Sequence, residues 1–268
     1  MRSKLAAILA LAFLASCGDD GGTGGSGGNG GNGGNGSSDD GQLSSSGGEE
    51  PDSMQTLAGT MTYGGRTYKT IQIGSQTWMA ENLNYEYKVE GSTYGNFCYK
   101  LSADSCGKYG RLYTWAAAMD TATTGCGRGA ACSASSGRVQ GVCPNGWHLP
   151  DSSEWEALFA VVGGANRAGE TLRAFTGWES GPVSGTTDLY GFSALPSGFG
   201  CTPQPDPDGG DYVGLFYGAG SSANIWSSSV DERDNPYYMY IHYTSVDVYL
   251  YGDNEYNSYA VRCVKDSD

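Results

Sequence analysis

The sequence predicts an α+β domain: a twisted antiparallel sheet of short strands, two or three short helices, long irregular loops and disulfides. Three observations predict it. Apolar and polar residues alternate with period two near both ends of the patterned region, a single well-capped amphipathic helix lies between them, and cysteines are scattered through a chain that begins with an export leader.

Residues 1–16 read as that leader. Arg2 and Lys4 precede an apolar stretch over residues 5–14, too short to span a bilayer and suited to a signal h-region. Leu14-Ala15-Ser16-Cys17 ends it and resembles the bacterial lipobox. The resemblance implies cleavage before Cys17 and lipid on that residue, which makes the bilayer a partner. Losing Arg2 and Lys4 takes the formal charge from −14 to −16. So acidic a chain repels phosphate backbones, and nucleic acid is not expected as a partner.

Residues 17–55 read as a tether. Between residues 18 and 50, fifteen of 33 positions are glycine and almost nothing there can be buried. A coil of that kind reaches roughly 30–35 Å. Gly18-Asp19-Asp20 directly follows Cys17, where some bacterial lipoproteins carry an acidic surface-export signal. The expected location is therefore the cell envelope, lipid-anchored at the outer membrane surface.

Residues 56–268 read as one domain. Residues 61–63 and 66–73 flank Gly64-Gly65 as a hairpin, and Thr77-Trp78-Met79 follows as a third strand. Residues 111–119 look helical, with Leu112, Trp115, Ala116 and Met119 on one face. Asp151 and Glu154 form a capping box before Trp155, Leu158, Phe159 and Val162, one apolar helix face that Gly163-Gly164 ends. A further short helix is expected around Glu170-Thr171-Leu172-Arg173. Residues 186–220 read as a long loop region. Residues 225–229 form a short strand, residues 238–243 and 246–251 a hairpin across Thr244-Ser245, and residues 258–264 a last strand. In that hairpin Met239, Ile241, Val246, Val248 and Leu250 point inward, leaving Tyr238, Tyr240, His242, Tyr249 and Tyr251 on the outer face.

Four segments carry a family resemblance: Tyr68-Lys69-Thr70-Ile71-Gln72-Ile73-Gly74-Ser75-Gln76-Thr77-Trp78-Met79-Ala80-Glu81-Asn82-Leu83, then Tyr109-Gly110-Arg111-Leu112-Tyr113-Thr114-Trp115, then Cys143-Pro144-Asn145-Gly146-Trp147-His148-Leu149-Pro150, and Tyr259-Ala260-Val261-Arg262-Cys263-Val264. In that order they resemble the Fibrobacter succinogenes major paralogous domain, over about residues 56–268. That family brings no settled biochemical role with it. More loosely, Gly146-Trp147-His148-Leu149-Pro150 with Glu154-Trp155-Glu156 is similar to a stretch of the formylglycine-generating enzyme superfamily, which implies a C-type-lectin-like fold and a Cys143–Cys263 disulfide. Once Cys17 is set aside, seven cysteines remain. Cys98 with Cys106 and Cys126 with Cys132 are expected as local clips, leaving Cys201 as the odd thiol.

Chemistry-bearing patterns are few. Gln204-Pro205-Asp206 matches a calcium triplet of C-type lectins, but the strand that should complete the shell reads Asn224-Ile225-Trp226, without an acid. Asp206, Asp208 and Asp211 remain as calcium candidates by themselves. No nucleophile–base pair, zinc pattern or phosphate loop stands out, so neither catalysis nor a cofactor is expected. Nineteen tyrosines are the remaining signal, and Tyr238, Tyr240, Tyr249 and Tyr251 are the candidate ligand-binding residues. The expectation is a non-catalytic binding module for polysaccharide or another surface protein. A formylglycine-type enzyme and a coat protein without a ligand are the alternatives.

Overall fold

A computed structural model describes residues 58–125, 137–181, 186–201 and 215–267. Its elements belong to one unit, Gln55–Asp268. The expectations at Cys17, Cys126, Cys132, Asp206, Asp208 and Asp211 lie outside the described residues.

The chain opens with a hairpin of β1 (Ala58–Tyr63) and β2 (Arg66–Ile73). Gly64 and Gly65 turn it, both at positive φ (58° and 77°), as a two-residue turn matched to strand twist requires. β3 (Gln76–Met79) pairs with β2. A small hairpin of β4 (Lys88–Val89) and β5 (Ser92–Thr93) stands apart. Next come β6 (Asn96–Phe97), α1 (Ala103–Tyr109), β7 (Leu112–Thr114), α2 (Trp115–Ala118) and α3 (Thr121–Thr124). β8 (Trp147–His148), α4 (Ser152–Val161) and α5 (Ala168–Leu172) follow. The C-terminal part holds β9 (Ser197–Gly200), β10 (Phe216–Ala219), β11 (Ser222–Val230), β12 (Pro236–His242), β13 (Val248–Gly252), β14 (Ser258–Tyr259) and β15 (Val264–Lys265).

Two larger sheets result. One runs β1-β2-β3-β15-β8; the other runs β13-β12-β11-β9-β14-β7-β6, with β10 added on β9. The ladders are antiparallel except at β9–β11. The chain is therefore mixed, mostly strands with a few short helices. α4 carries the expected capping box: Asp151 Oδ1 accepts from the Glu154 amide at 2.8 Å, and Glu154 Oε2 from the Asp151 amide at 3.0 Å. Its apolar face is buried, with the Trp155 ring 4.6 Å from Trp78 and 6.3 Å from Phe192. A buried aromatic pair of this size makes truncation of either tryptophan cost about 3–5 kcal/mol.

Two expectations about elements are corrected. The helix expected over residues 111–119 is half strand: Leu112 and Tyr113 pair with β6 and β14, and Thr114 starts a four-residue helix by accepting from the Ala117 amide at 3.3 Å. Of the four residues at helical spacing only Leu112 is on the strand, where it and Tyr113 bury opposite faces; Trp115 and Ala116 are in the short helix and Met119 caps it. The last strand, expected over residues 258–264, is two short pieces in different sheets, because the chain crosses between sheets at residues 260–263. The helices among the described residues are few and short, from four residues in α2 and α3 to ten in α4. No described helix is long and apolar enough to cross a membrane.

Disulfides join Cys98 to Cys106 at the start of α1 and Cys143 to Cys263 across 120 residues of sequence. Loop entropy alone gives the long bridge roughly 4–5 kcal/mol. Cys201 is itself disulfide-bonded, so it is not the odd thiol.

His148 is buried between two carboxylates, with Nε2 2.8 Å from Glu154 and Nδ1 2.7 Å from Asp266. Only the imidazolium can donate to both. Burial disfavours that charge, but the two carboxylates outweigh it and the pKa lies above its ordinary 6.5. A raised folded-state pKa gives stability that is fully present below about pH 6.5 and lost as pH rises through the folded value. Asp266 is half exposed, so its share is screened. The expected outcome is a melting temperature that falls as pH rises above about 6.5 in the parent and much less in His148→Gln, which also costs about 1–3 kcal/mol at the acid end. Equal pH slopes in thermal melts would remove His148 as the cause.

Candidate functional site

β12 and β13 pair in antiparallel register, with Tyr238 opposite Tyr251 and Tyr240 opposite Tyr249. Period-two alternation then sorts the side chains. Met239, Ile241 and Val248 go into the core with Leu250 packed against it, and Tyr238, Tyr240, His242, Tyr249 and Tyr251 share the other face. The neighbouring β11 sets Trp226 and Asn224, both buried, beside Tyr238 and Tyr240.

The rings touch one another. Tyr249 and Tyr251 stack at 5.2 Å with 10° between planes, Tyr240 lies 5.8 Å from Tyr251, and Tyr238 lies 6.2 Å from both Tyr240 and Tyr251. Tyr238 is half-buried and reaches inward to Tyr259 at 4.5 Å, and Tyr259 to Trp226 at 4.3 Å and Phe199 at 6.0 Å. Phe199 in turn meets Tyr217 at 5.7 Å. An aromatic tract thus runs from Tyr217, 45% exposed, through a buried middle to Tyr249 and Tyr251, 38% and 45% exposed. Sequence alternation found the hairpin end of this tract. It missed Tyr217, Phe199 and Tyr259, which come from strands distant in sequence.

Carboxylates at the margins orient tyrosines. Tyr249 donates to Asp247 at 2.9 Å, which raises the phenol pKa. Tyr259 donates to Asp253, whose Oδ2 also accepts from Asn257 at 3.0 Å. Burial, then Asp253, raises the Tyr238 and Tyr259 phenols, so all three stay neutral at physiological pH. Arg173, 2% exposed, donates to the carbonyls of His242 and Ser245 and so fixes the hairpin turn, while its guanidinium lies 4.9 Å from the Trp178 ring centre. Nothing in Leu172-Arg173-Ala174 marks that role. Burial, then the Arg173 cation, lowers the His242 pKa. Chemically, the tract offers flat ring faces with neutral hydroxyl edges, suited to stacking and hydrogen bonding rather than proton transfer. Among the described residues no three His, Cys, Asp or Glu side chains are grouped to hold a metal ion.

A sequence model of the Fibrobacter succinogenes major domain matches residues 71–265. The chain belongs to that family. The match runs from within β2 to the end of β15 of this major domain and leaves β1 outside it. No curated protein and no solved structure matches the chain.

Replacing Tyr240 and Tyr249 together with Ser is expected to leave the melting temperature within a few degrees, because Tyr249 is exposed and Tyr240, half-buried, stands outside the core. A large drop in a thermal melt would place these rings among the residues that hold the fold.

Proposed function

We propose that this major-domain protein is a cell-envelope lipoprotein whose domain is a non-catalytic, lectin-like binding module for polysaccharide. The observation that carries the reading is the row in which Tyr249 and Tyr251, both exposed, stack on each other and the half-buried Tyr240 lies against Tyr251, since exposed aromatic clusters with hydroxyl edges are a costly surface unless something covers them. Sugar rings match that surface: their apolar faces stack on tyrosine, and their hydroxyls meet phenol oxygens and the carboxylate of Asp247. A C-type-lectin-like fold is part of the proposal. It is supported by α4 directly after the Gly146-Trp147-His148-Leu149-Pro150 turn and by the bridge from Cys143 to Cys263 beside the last strand.

Leu14-Ala15-Ser16-Cys17 and the glycine-rich residues 18–50 support an anchor and a tether that hold the module at the outer membrane surface. One acyl chain holds a protein only marginally, so durable anchoring takes more than one chain on Cys17. In a cell fractionation with detergent partitioning, the parent is expected in the detergent phase and Cys17→Ser in the aqueous phase; a variant still in detergent ends the anchor proposal. In a retention assay on glycans and cell-wall polysaccharides, the full chain is expected to be held, and the Tyr240→Ser, Tyr249→Ser pair to lose at least about tenfold in affinity, the size of one or two lost ring contacts. Equal retention of the parent and the pair would take the ligand away from this face.

A further inference from the structure

Away from the tyrosine hairpin, a cleft of about 370 Å³ opens between the β4–β5 hairpin, α3 and the turn at residues 140–143. That volume falls within the range of small-molecule sites, roughly 300–1,000 Å³. Tyr63, Tyr85 and Tyr87 line it together with Asp120; Lys88 and Glu90 stand among the lining residues as well.

The walls are fixed from behind. Tyr113, fully buried, uses one hydroxyl to accept from the Tyr85 amide at 3.0 Å and donate to the Tyr85 carbonyl at 2.7 Å. Tyr63 packs on Tyr85 with ring centres 4.4 Å apart. The Tyr87 carbonyl accepts from buried Asn96 at 2.8 Å, and Asn96 is held in turn by Arg111 at 3.0 Å. Tyr87 donates its hydroxyl to Asp120 Oδ1, which orients the carboxylate and leaves Oδ2 without a partner among the described residues. Asp120 itself sits in the left-handed region, φ 50°, with its carbonyl accepting from the Thr123 and Thr124 amides at 2.9 Å. Rigid walls of this kind lower the ordering cost of binding.

The charges give the cleft a sign. Of the charged residues that line it, Asp120 and Glu90 are acidic and Lys88 is basic, and Lys88 is drawn to Glu86 at 3.1 Å, so the cleft presents a net negative charge to an incoming group. Three tyrosine rings around one oriented carboxylate favour a cation with apolar substituents, since ring quadrupole and carboxylate attract the same charge. An anion meets Asp120, and a neutral ligand gains nothing from it beyond a hydrogen bond. We propose that this cleft binds a small organic cation of the alkylammonium class, at a site separate from the polysaccharide face.

The test titrates the full chain with choline, and in parallel with 3,3-dimethylbutan-1-ol, the uncharged analogue of the same shape, following tyrosine fluorescence or nuclear magnetic resonance shifts. Choline is expected to saturate at millimolar concentrations or below, with the neutral analogue weaker by about tenfold or more, the size of one charge-assisted contact. Asp120→Asn is expected to lose about the same factor without unfolding, because Asn tolerates the left-handed backbone and still accepts from Tyr87. Tyr240→Ser with Tyr249→Ser should leave choline binding unchanged, which separates this site from the polysaccharide face. No saturable binding, equal binding of the neutral analogue, or an unaffected Asp120→Asn variant overturns the proposal. Binding of a neutral monosaccharide in place of choline also overturns it, by making the cleft a sugar site.

Discussion

A buried guanidinium holds the two sheets of this domain together. Arg262 is wholly inaccessible, lies in the chain crossing between β14 and β15, and donates to Asn82 Oδ1 at 2.7 Å, to the Ser193 carbonyl at 2.8 Å and to the Phe192 carbonyl. Its charge also lies 4.4 Å from the Phe192 ring centre. No described carboxylate lies within ion-pair distance, and burial pulls its pKa down to about 9, which still leaves it charged at neutral pH. Breaking such a network strands a charge in the core, so each partner segment is held where the fork needs an oxygen.

Around that fork the four sequence motifs of the family meet. Asn82 also donates to the Tyr109 carbonyl at 2.8 Å, and Gly110 follows at φ 79° with room for no side chain, since a Cβ would sit 2.8 Å from Asn82. The Met79 and Leu83 amides donate to the Cys263 and Val261 carbonyls at 3.0 and 2.8 Å. The Cys143 motif joins the same segment through its disulfide, through His148 to Asp266, and through the Asp266 amide to Gly146 at 2.9 Å. The motifs that identify the family are therefore joints of the scaffold. The tyrosine face and the Asp120 cleft draw on residues mostly outside them, which is why belonging to the family is silent about a ligand.

Local signals in the sequence were legible where one interaction decides the structure. Gly64-Gly65, the Asp151–Glu154 box and the alternation of residues 238–251 each encode their element in a few neighbouring positions, and each element formed. Residues 111–119 misled because a strand buried on both faces and an amphipathic helix share an apolar pattern when they are short. Residues 258–264 misled because a strand that changes sheets keeps its apolar period through the crossing. The candidate site was half legible for the same reason. Its hairpin tyrosines sit in one alternating stretch, whereas Tyr217 and Phe199 reach them only through sheet order, and Asp120 meets Tyr87 only across a turn of chain that no local pattern describes.

The position of the final segment has a consequence for how the domain is made. β14 lies between β9 and β7, and β15 between β3 and β8, so residues 258–265 supply an interior strand to each sheet. Neither sheet can close until those residues are free to pair. Everything upstream emerges as separate hairpins and short helices with one side of each ladder open. Closing the domain is thus a late, non-local event of high contact order, in which hairpins made early wait for the two short strands that join them.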